Sequence, residues 1–124
     1  MLVTVEELLN KGKSNNKNNK FKVYITELDR EIEVKTLCAT DYLEIMSSSI
    51  VNKPLEIVYN CCDIFKDERL IQQFNCKFNP AEIVDKILSY ATIYHLANVI
   101  LEKSNILLET PEKFIKVMED DIKN

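Results

Sequence analysis

The sequence predicts an α+β fold that is mostly α: a short N-terminal helix and tether, then one β-hairpin (about 21–35) packed on a bundle of four to six short helices. The chain has 124 residues, of which 46% are hydrophobic, which suffices for one modest core. Apolar and polar residues alternate clearly over one stretch, and later apolar residues recur at helical spacing. We therefore expect residues 1–20 to form the helix and a flexible Lys/Asn-rich tether, and residues 21–124 to form a single hairpin-plus-helices domain.

The N-terminal segment begins with a helix-start signal. Thr4 is followed three residues later by Glu7, the spacing of a capping box in which each residue satisfies a backbone amide of the other. The helix then carries Val5, Leu8 and Leu9, and because two turns are marginal alone, it needs a partner surface. Residues 11–20 contain lysine, asparagine, serine and one glycine, and without arginine or aromatic residues they indicate a solvated tether rather than a nucleic-acid arm.

The hairpin is predicted from two alternating stretches. Phe21, Val23 and Ile25 alternate with polar or amphipathic residues, and Ile32 and Val34 do so after the connection. The connection at residues 27–30 lacks the Asn-Gly pair of the tightest turns. A lone hairpin is barely stable in water, so helices must cover its apolar row.

Three helix starts follow. Thr40 and Asp41 begin one helix, Asn52 with Pro54 begins the next, and a short helical turn follows over residues 67–74. At about 100° per residue, the spacing predicts which side chains face the core. The predicted apolar faces comprise Leu43, Met46 and Ile50; Leu55, Ile57, Val58, Cys61, Cys62, Ile64 and Phe65; and Leu70, Ile71 and Phe74.

The segment from Asn79 to Lys103 begins with a cap residue, a proline and Glu82, which predicts a helix start. Its apolar stripe changes sides by more than about 90° on a 3.6-residue wheel. Either one helix is buried on different sides along its length, or the helix breaks near Ser89 to Thr92, and we favour the break, with Thr92 as the second cap. The two stripes contain Ile83, Val84, Ile87, Leu88 and Ala91, and then Ile93, Leu96, Ala97, Val99 and Ile100. A last helix is predicted after Thr110.

Composition excludes several function classes. The net charge of −4 disfavours nucleic-acid binding, and no apolar run approaches the length of a membrane span. The N-terminus lacks the pattern of a secretion signal, so we expect the cytoplasm and four free, mostly buried cysteines. The single glycine excludes phosphate-binding loops, and His95, the sole histidine, is expected on a polar surface. We therefore predict no enzyme activity, no catalytic residue, no metal site and no cofactor.

Surplus apolar residues indicate a partner instead. A thin core has little room for five large side chains near the end of the helical region, and exposed apolar patches usually mark protein-binding sites. These predicted partner-binding residues are Tyr90, Tyr94, Ile106, Leu107 and Leu108. The alternative is that they close the core beneath the last helix.

The order of segments resembles that of phage tail assembly chaperones, of the type found in contractile-tailed phages and related defective prophages. The resemblance lies in T-V-E-E-L-L-N at residues 4–10 and in residues 61–104, where a helix, a short acidic link with a leucine helix and a proline–acid helix start follow one another. It covers most of the chain and is one of pattern, without a catalytic signature.

The resemblance implies a role. Such a protein binds the long, helical tape measure protein before tail-tube subunits polymerise around it, then leaves, and is absent from the finished particle. It works in the host cytoplasm without a cofactor, with the tail-tube protein and a second copy of itself as further candidate partners. A headless phage-tail bacteriocin needs the same function. The alternative is a small helical regulatory or antitoxin-like adaptor from a mobile element, whose gene would lie beside a toxin or repressor.

Overall fold

The computed structural model describes residues 1–14 and 19–106. The prediction of a mostly helical α+β fold with one hairpin is confirmed in these residues. The predicted last helix, Leu107, Leu108 and residues 15–18 of the predicted tether lie outside them. The elements are α1 (Val5–Ser14), β1 (Lys20–Ile25), β2 (Arg30–Lys35), α2 (Ala39–Ser47), α3 (Lys53–Cys61), a 3-10 turn (Asp63–Lys66), α4 (Glu68–Gln73), α5 (Glu82–Ile87) and α6 (Tyr90–Lys103).

α1 begins with the predicted capping box. The Thr4 amide donates to Glu7 Oε1 at 3.0 Å, and the Glu7 amide donates to Thr4 Oγ1 at 3.3 Å. The predicted tether began at Lys11, but the structure continues the helix to Ser14. Lys11 and Lys13 have good helix propensity, which partly offsets the cost of Gly12 in the helix interior.

The hairpin is confirmed, with Phe21 opposite Val34 and Val23 opposite Ile32. Its apolar row faces the helices, and Ile25, Ile32 and Val34 are buried. The loop works without glycine because Asp29 adopts the left-handed region at φ 52°, which aspartate tolerates better than most residues.

The core lies where α3 and α6 pack, the most extensive contact between two helices in the described part of the chain. Its buried side chains include Ile57 and Val58 of α3 together with Ile93 and Ile100 of α6. All four are at most 2% exposed. α3 begins as predicted, with Asn52 Oδ1 accepting from the Leu55 amide at 3.2 Å.

The predicted start and apolar face of α2 need correction. α2 begins at Ala39, with Cys38 rather than Thr40 as its N-cap, and it buries Ile45 instead of Leu43, which is 62% exposed. Ile50 falls outside this helix because α2 ends at Ser47, so the helical spacing no longer places Ile50 on the same face. Local periodicity alone did not specify which side α3 covers.

The helix of α3 is also shorter than predicted. It ends at Cys61, and because the 3-10 turn that follows has a different period, Phe65 is buried but Ile64 is exposed. Phe74 was predicted to pack with α4 but is 41% exposed, because the chain turns away at Asn75 in the left-handed region.

The predicted break after α5 is confirmed, although its details differ. Leu88 is extended, and Ser89 rather than Thr92 caps α6: its hydroxyl accepts from the Thr92 amide at 3.3 Å. Ala91, predicted in the first stripe, is exposed because it belongs to α6. Regular α5 starts at Glu82 rather than after an Asn79 cap, since the preceding residues form a turn.

Candidate functional site

An apolar groove runs between β1 and α6. Four consecutive residues of the hairpin border it, and because alternate strand side chains point to opposite faces, this places the groove along the edge of β1. Its volume is about 270 Å³. The residues that line this β1–α6 groove are Val23, Tyr24, Ile25, Thr26, Ala91, Thr92, His95, Leu96 and Val99.

The groove has a rigid apolar floor and an accessible mouth. Ile25 and Leu96 are 2% and 3% exposed, so the core on either side holds them in place. Ala91 and Val99, about two turns apart on α6, present apolar surface and are exposed. A partner side chain can therefore enter without displacing any core residue.

One polar contact joins the two walls. Glu27 in the hairpin loop accepts hydrogen bonds from the Ser89 amide at 3.0 Å and from the Ser89 hydroxyl at 3.2 Å. Hydrogen bonding by Thr92 and Ser89 holds the pKa of Glu27 below its usual value, and a carboxylate is favoured at a helix N-terminus. Glu27 therefore fastens the hairpin to the start of α6 and sets the width of the groove at this end.

Two exposed aromatic side chains of α6 lie outside the groove lining. Tyr90 and Tyr94 are 57% and 47% exposed, and their ring centroids are 6.4 Å apart. Tyr94 also meets His95 edge to face at 5.5 Å, and His95, exposed as predicted, lines the groove. Exposed tyrosines offer large contact area with little conformational entropy to lose, which suits a protein-binding surface.

The structure brings together part of the predicted partner-binding set. Tyr90 and Tyr94 are neighbours on α6, whereas Ile106 is half-buried and packs against the core. Leu107 and Leu108 lie outside the described residues. Val23 and Tyr24 were missed as site residues, because their place opposite α6 depends on contacts about 70 positions apart in the chain.

A larger cleft of about 650 Å³ lies between the α2–α3 connection and α5. Glu56, Glu82 and Asp85 contribute its acidic wall, and burial raises the pKa of Glu56. No group of three or more His, Cys, Asp or Glu side chains with metal-binding geometry occurs within residues 1–14 and 19–106.

Three of the four cysteines are packing residues. Cys61, Cys62 and Cys76 are buried as predicted, and Cys38 is exposed. Burial raises the pKa of Cys61 to about 11 and that of Cys62 to about 12. A nucleophilic or metal-binding cysteine needs a lowered pKa, so neither thiol is suited to such chemistry.

No helix of the described residues has both the length and the apolar character needed to cross a membrane. No family model matches the chain, and no significant match was found among curated proteins or solved structures.

Proposed function

We propose that this protein is a tail assembly chaperone of a contractile-tailed phage, a prophage or a headless phage-tail bacteriocin. It binds the tape measure protein while the tail tube assembles and leaves before the particle is complete. The observation that carries the proposal is the open apolar groove between β1 and α6, whose lining residue His95 contacts the exposed ring of Tyr94. The segment order of the chain supplies the choice of partner.

The groove suits an amphipathic helix better than a small molecule. Small-molecule pockets commonly have volumes of about 300–1,000 Å³ and enclose most of the ligand. This groove is smaller, at about 270 Å³, and open along one side. A helix binds such a surface by inserting apolar side chains at positions i, i+3 or i+4 and i+7, while its polar face stays in water.

A small groove also suits temporary binding. Interfaces that bury less than about 1,200 Å² are typical of transient complexes, and affinity differences lie mostly in the dissociation rate. A chaperone must cover apolar stripes of the tape measure protein long enough to prevent aggregation and then release them to the tail-tube subunits. The host cytoplasm, where tails assemble, belongs to this proposal, as does the tail-tube protein as a second partner.

Co-expression with the tape measure protein of the same genome tests the proposal. The tape measure protein should become more soluble and should co-purify with the chaperone. Ala91→Arg places a long charged side chain at the mouth of the groove and should reduce recovery of the complex at least tenfold. Ala91 is exposed, so the fold should survive the change.

Ala39→Arg is the matched control. Ala39 is also exposed and also lies in the first turn of its helix, so both changes carry the same unfavourable interaction with the helix dipole. Ala39 does not line the groove and its variant should bind normally. No complex with the tape measure protein, or equal binding by both variants, would contradict the proposal; binding to a toxin or repressor instead would identify an adaptor.

A further inference from the structure

The break between α5 and α6 contains no helix-breaking residue. Glycine and proline, which end or kink helices most strongly, are both absent from residues 82–103. Leu88 and Ser89 are nonetheless extended, with ψ angles of 147° and 156°. In a continuous helix the Ser89 amide would donate to the carbonyl of Asp85. Here it donates to Glu27 Oε1 at 3.0 Å, so a residue of the hairpin loop holds the amide at which the helix breaks.

The same carboxylate orients the cap of α6. The Ser89 hydroxyl lies 3.2 Å from Glu27 Oε1 and 3.1 Å from Thr92 Oγ1, but it has only one proton to donate. The carboxylate is the stronger acceptor and takes that proton. The lone pairs of the hydroxyl are then free to accept from the Thr92 amide, which lies 3.3 Å away. Glu27 is therefore a positioning residue, because the geometry of the α6 cap depends on it.

The first turn of α6 has few other contacts to hold it. Tyr90 and Ala91 are exposed, and Ile93 is the first residue of the helix that is buried in the core. On the opposite side, the hairpin loop is anchored by Leu28, which is half-buried and packs against the core. When the contact with Glu27 is lost, the helix turn, not the hairpin loop, is the part that is free to move.

We propose that the first turn of α6 is a gate at one end of the β1–α6 groove and that Glu27 is its latch. While the carboxylate holds Ser89, the turn is formed, and Ala91 and Thr92 line the groove at this end. When the contact breaks, residues 89–92 lose their cap and fray, and the groove opens there while its buried floor stays in place. The inference rests on the proposed function only in treating the groove as the site that the gate serves.

The latch is weak enough to open in the folded protein. Glu27 and Ser89 are both exposed, so water competes for each hydrogen bond between them. Helix ends with few buried contacts open locally at a small fraction of the free energy that global unfolding requires. The gate therefore opens and closes without unfolding the core, and the hydrogen bonds of Glu27 set the fraction of time that it is closed.

Hydrogen exchange of single amides in the full, unbound chain, followed by NMR, tests the gate. Glu27→Ala should raise the exchange rates of the Thr92 and Ile93 amides about tenfold, the effect of losing one helix cap. Neither amide donates to Glu27: that of Thr92 donates to the Ser89 hydroxyl, and that of Ile93 to the Ser89 carbonyl. If Glu27 did no more than accept from the Ser89 amide, exchange at Thr92 and Ile93 would stay unchanged, and this result would overturn the proposal.

Two variants serve as controls. Glu27→Gln keeps a side-chain oxygen that can accept from Ser89 and should retain most of the protection at Thr92. Equal exchange in Glu27→Gln and Glu27→Ala would contradict a latch made by hydrogen bonds. Glu31→Ala removes an exposed glutamate of the same hairpin that does not line the groove, and it should exchange like the wild type.

The Ile100 amide separates the gate from global unfolding. Ile100 is fully buried in the middle of the core, so its amide should exchange at the same rate in the wild type and in Glu27→Ala. If its rate rose by the same factor as that of Thr92, the variant would have lowered the stability of the whole fold, and the gate would be overturned.

Release of the partner distinguishes the gate from the proposed function. If Glu27→Ala shows the expected exchange and releases the tape measure protein faster than the wild type does, both proposals stand. If the exchange changes as expected but no variant binds the tape measure protein, the chaperone proposal fails and the gate remains. If the exchange at Thr92 and Ile93 is unchanged while the tape measure protein binds normally, the gate is overturned and the chaperone proposal stands.

Discussion

At the scale of single residues, the burial of Cys61 and Cys62 makes the free energy of unfolding depend on pH. Their side chains are at most 1% exposed and lie in the core between the hairpin and α3. Desolvation is the main cause that raises their pKa values, to about 11 and about 12. In the folded protein these thiols stay protonated in conditions where an unfolded chain would ionise them.

The free energy of unfolding should therefore fall at alkaline pH. Because the folded pKa values lie above the ordinary value of 9.0, the stabilisation is complete below pH 9.0 and is lost as the pH rises towards about 11 and 12. Each thiol contributes a slope of up to about 1.4 kcal/mol per pH unit in this window. Urea unfolding under reducing conditions at a series of pH values measures this slope.

The cysteine variants separate this effect from other alkaline titrations. Cys61→Ala with Cys62→Ala should flatten the pH dependence, whereas Cys38→Ala removes an exposed thiol and should leave it unchanged. Equal slopes in the wild type and the double variant would assign the pH dependence to other groups, such as the tyrosines.

At the scale of elements, the caps of α3 and α6 have similar local geometry but different consequences. Asn52 accepts from the Leu55 amide at 3.2 Å, and Ser89 accepts from the Thr92 amide at 3.3 Å. Replacing either cap by alanine should cost about 1 kcal/mol of stability. Only Ser89 also contacts Glu27 across the groove, so Ser89→Ala should weaken partner binding beyond what Asn52→Ala does.

Chemical denaturation and partner titration of the two cap variants check this prediction. Equal binding by Ser89→Ala and Asn52→Ala would show that the contact with Glu27 does not maintain the groove. If Ser89→Ala lowers binding only as much as its larger fraction of unfolded protein requires, the contact with Glu27 likewise does not maintain the groove.

Two neighbouring residues of α6 should separate stability from binding. Ile100 is fully buried against α3, and Ile100→Ala should lower the free energy of unfolding by about 2–5 kcal/mol through the cavity it leaves. Val99 is 37% exposed and lines the groove, so Val99→Ala should cost less than about 1 kcal/mol but reduce partner affinity. Thermal denaturation measures the loss of stability, and isothermal titration measures the loss of partner affinity. If Val99→Ala lost more stability and Ile100→Ala lost more affinity, the binding surface would lie elsewhere.

The elements themselves were largely predictable because their signals are local. The Thr4–Glu7 capping box, the alternation of the hairpin and the phase change before α6 all act within a few residues. The face of α2 was wrong because the choice between Leu43 and Ile45 depends on the position of α3, which local spacing does not encode. The cap of α6 was misplaced by three residues, since Ser89 and Thr92 both suit a helix start.

At the scale of the whole molecule, the groove was beyond prediction from sequence. Surplus aromatic residues indicated Tyr90 and Tyr94 of α6, but neither lines the groove, and one of its two walls comes from β1, about 70 positions before the other. Periodicity and spacing relate residues only within one helix or strand, so they cannot predict a contact between residues that far apart. Glu27 and Ser89, 62 positions apart, join the two walls, and neither residue alone suggests that contact.

Within residues 1–14 and 19–106, the molecule is a small core that supports the β1–α6 groove, and the apolar side chains of α1 are exposed. Ile25 and Leu96, on the floor of the groove, are buried in the core. A preformed site loses little conformational entropy on binding. Under the proposed function, such a surface would bind a helix of the partner and still be able to release it.

The most direct test of the groove is a map of amide chemical shifts while a helical segment of the tape measure protein is added to the isotope-labelled chain. The account predicts that the largest changes fall on residues 23–26 and 91–99, and that Ala91→Arg abolishes them while Ala39→Arg does not. Changes confined to the acidic cleft at Glu56 and Asp85, or a map that Ala91→Arg leaves unaltered, would contradict it.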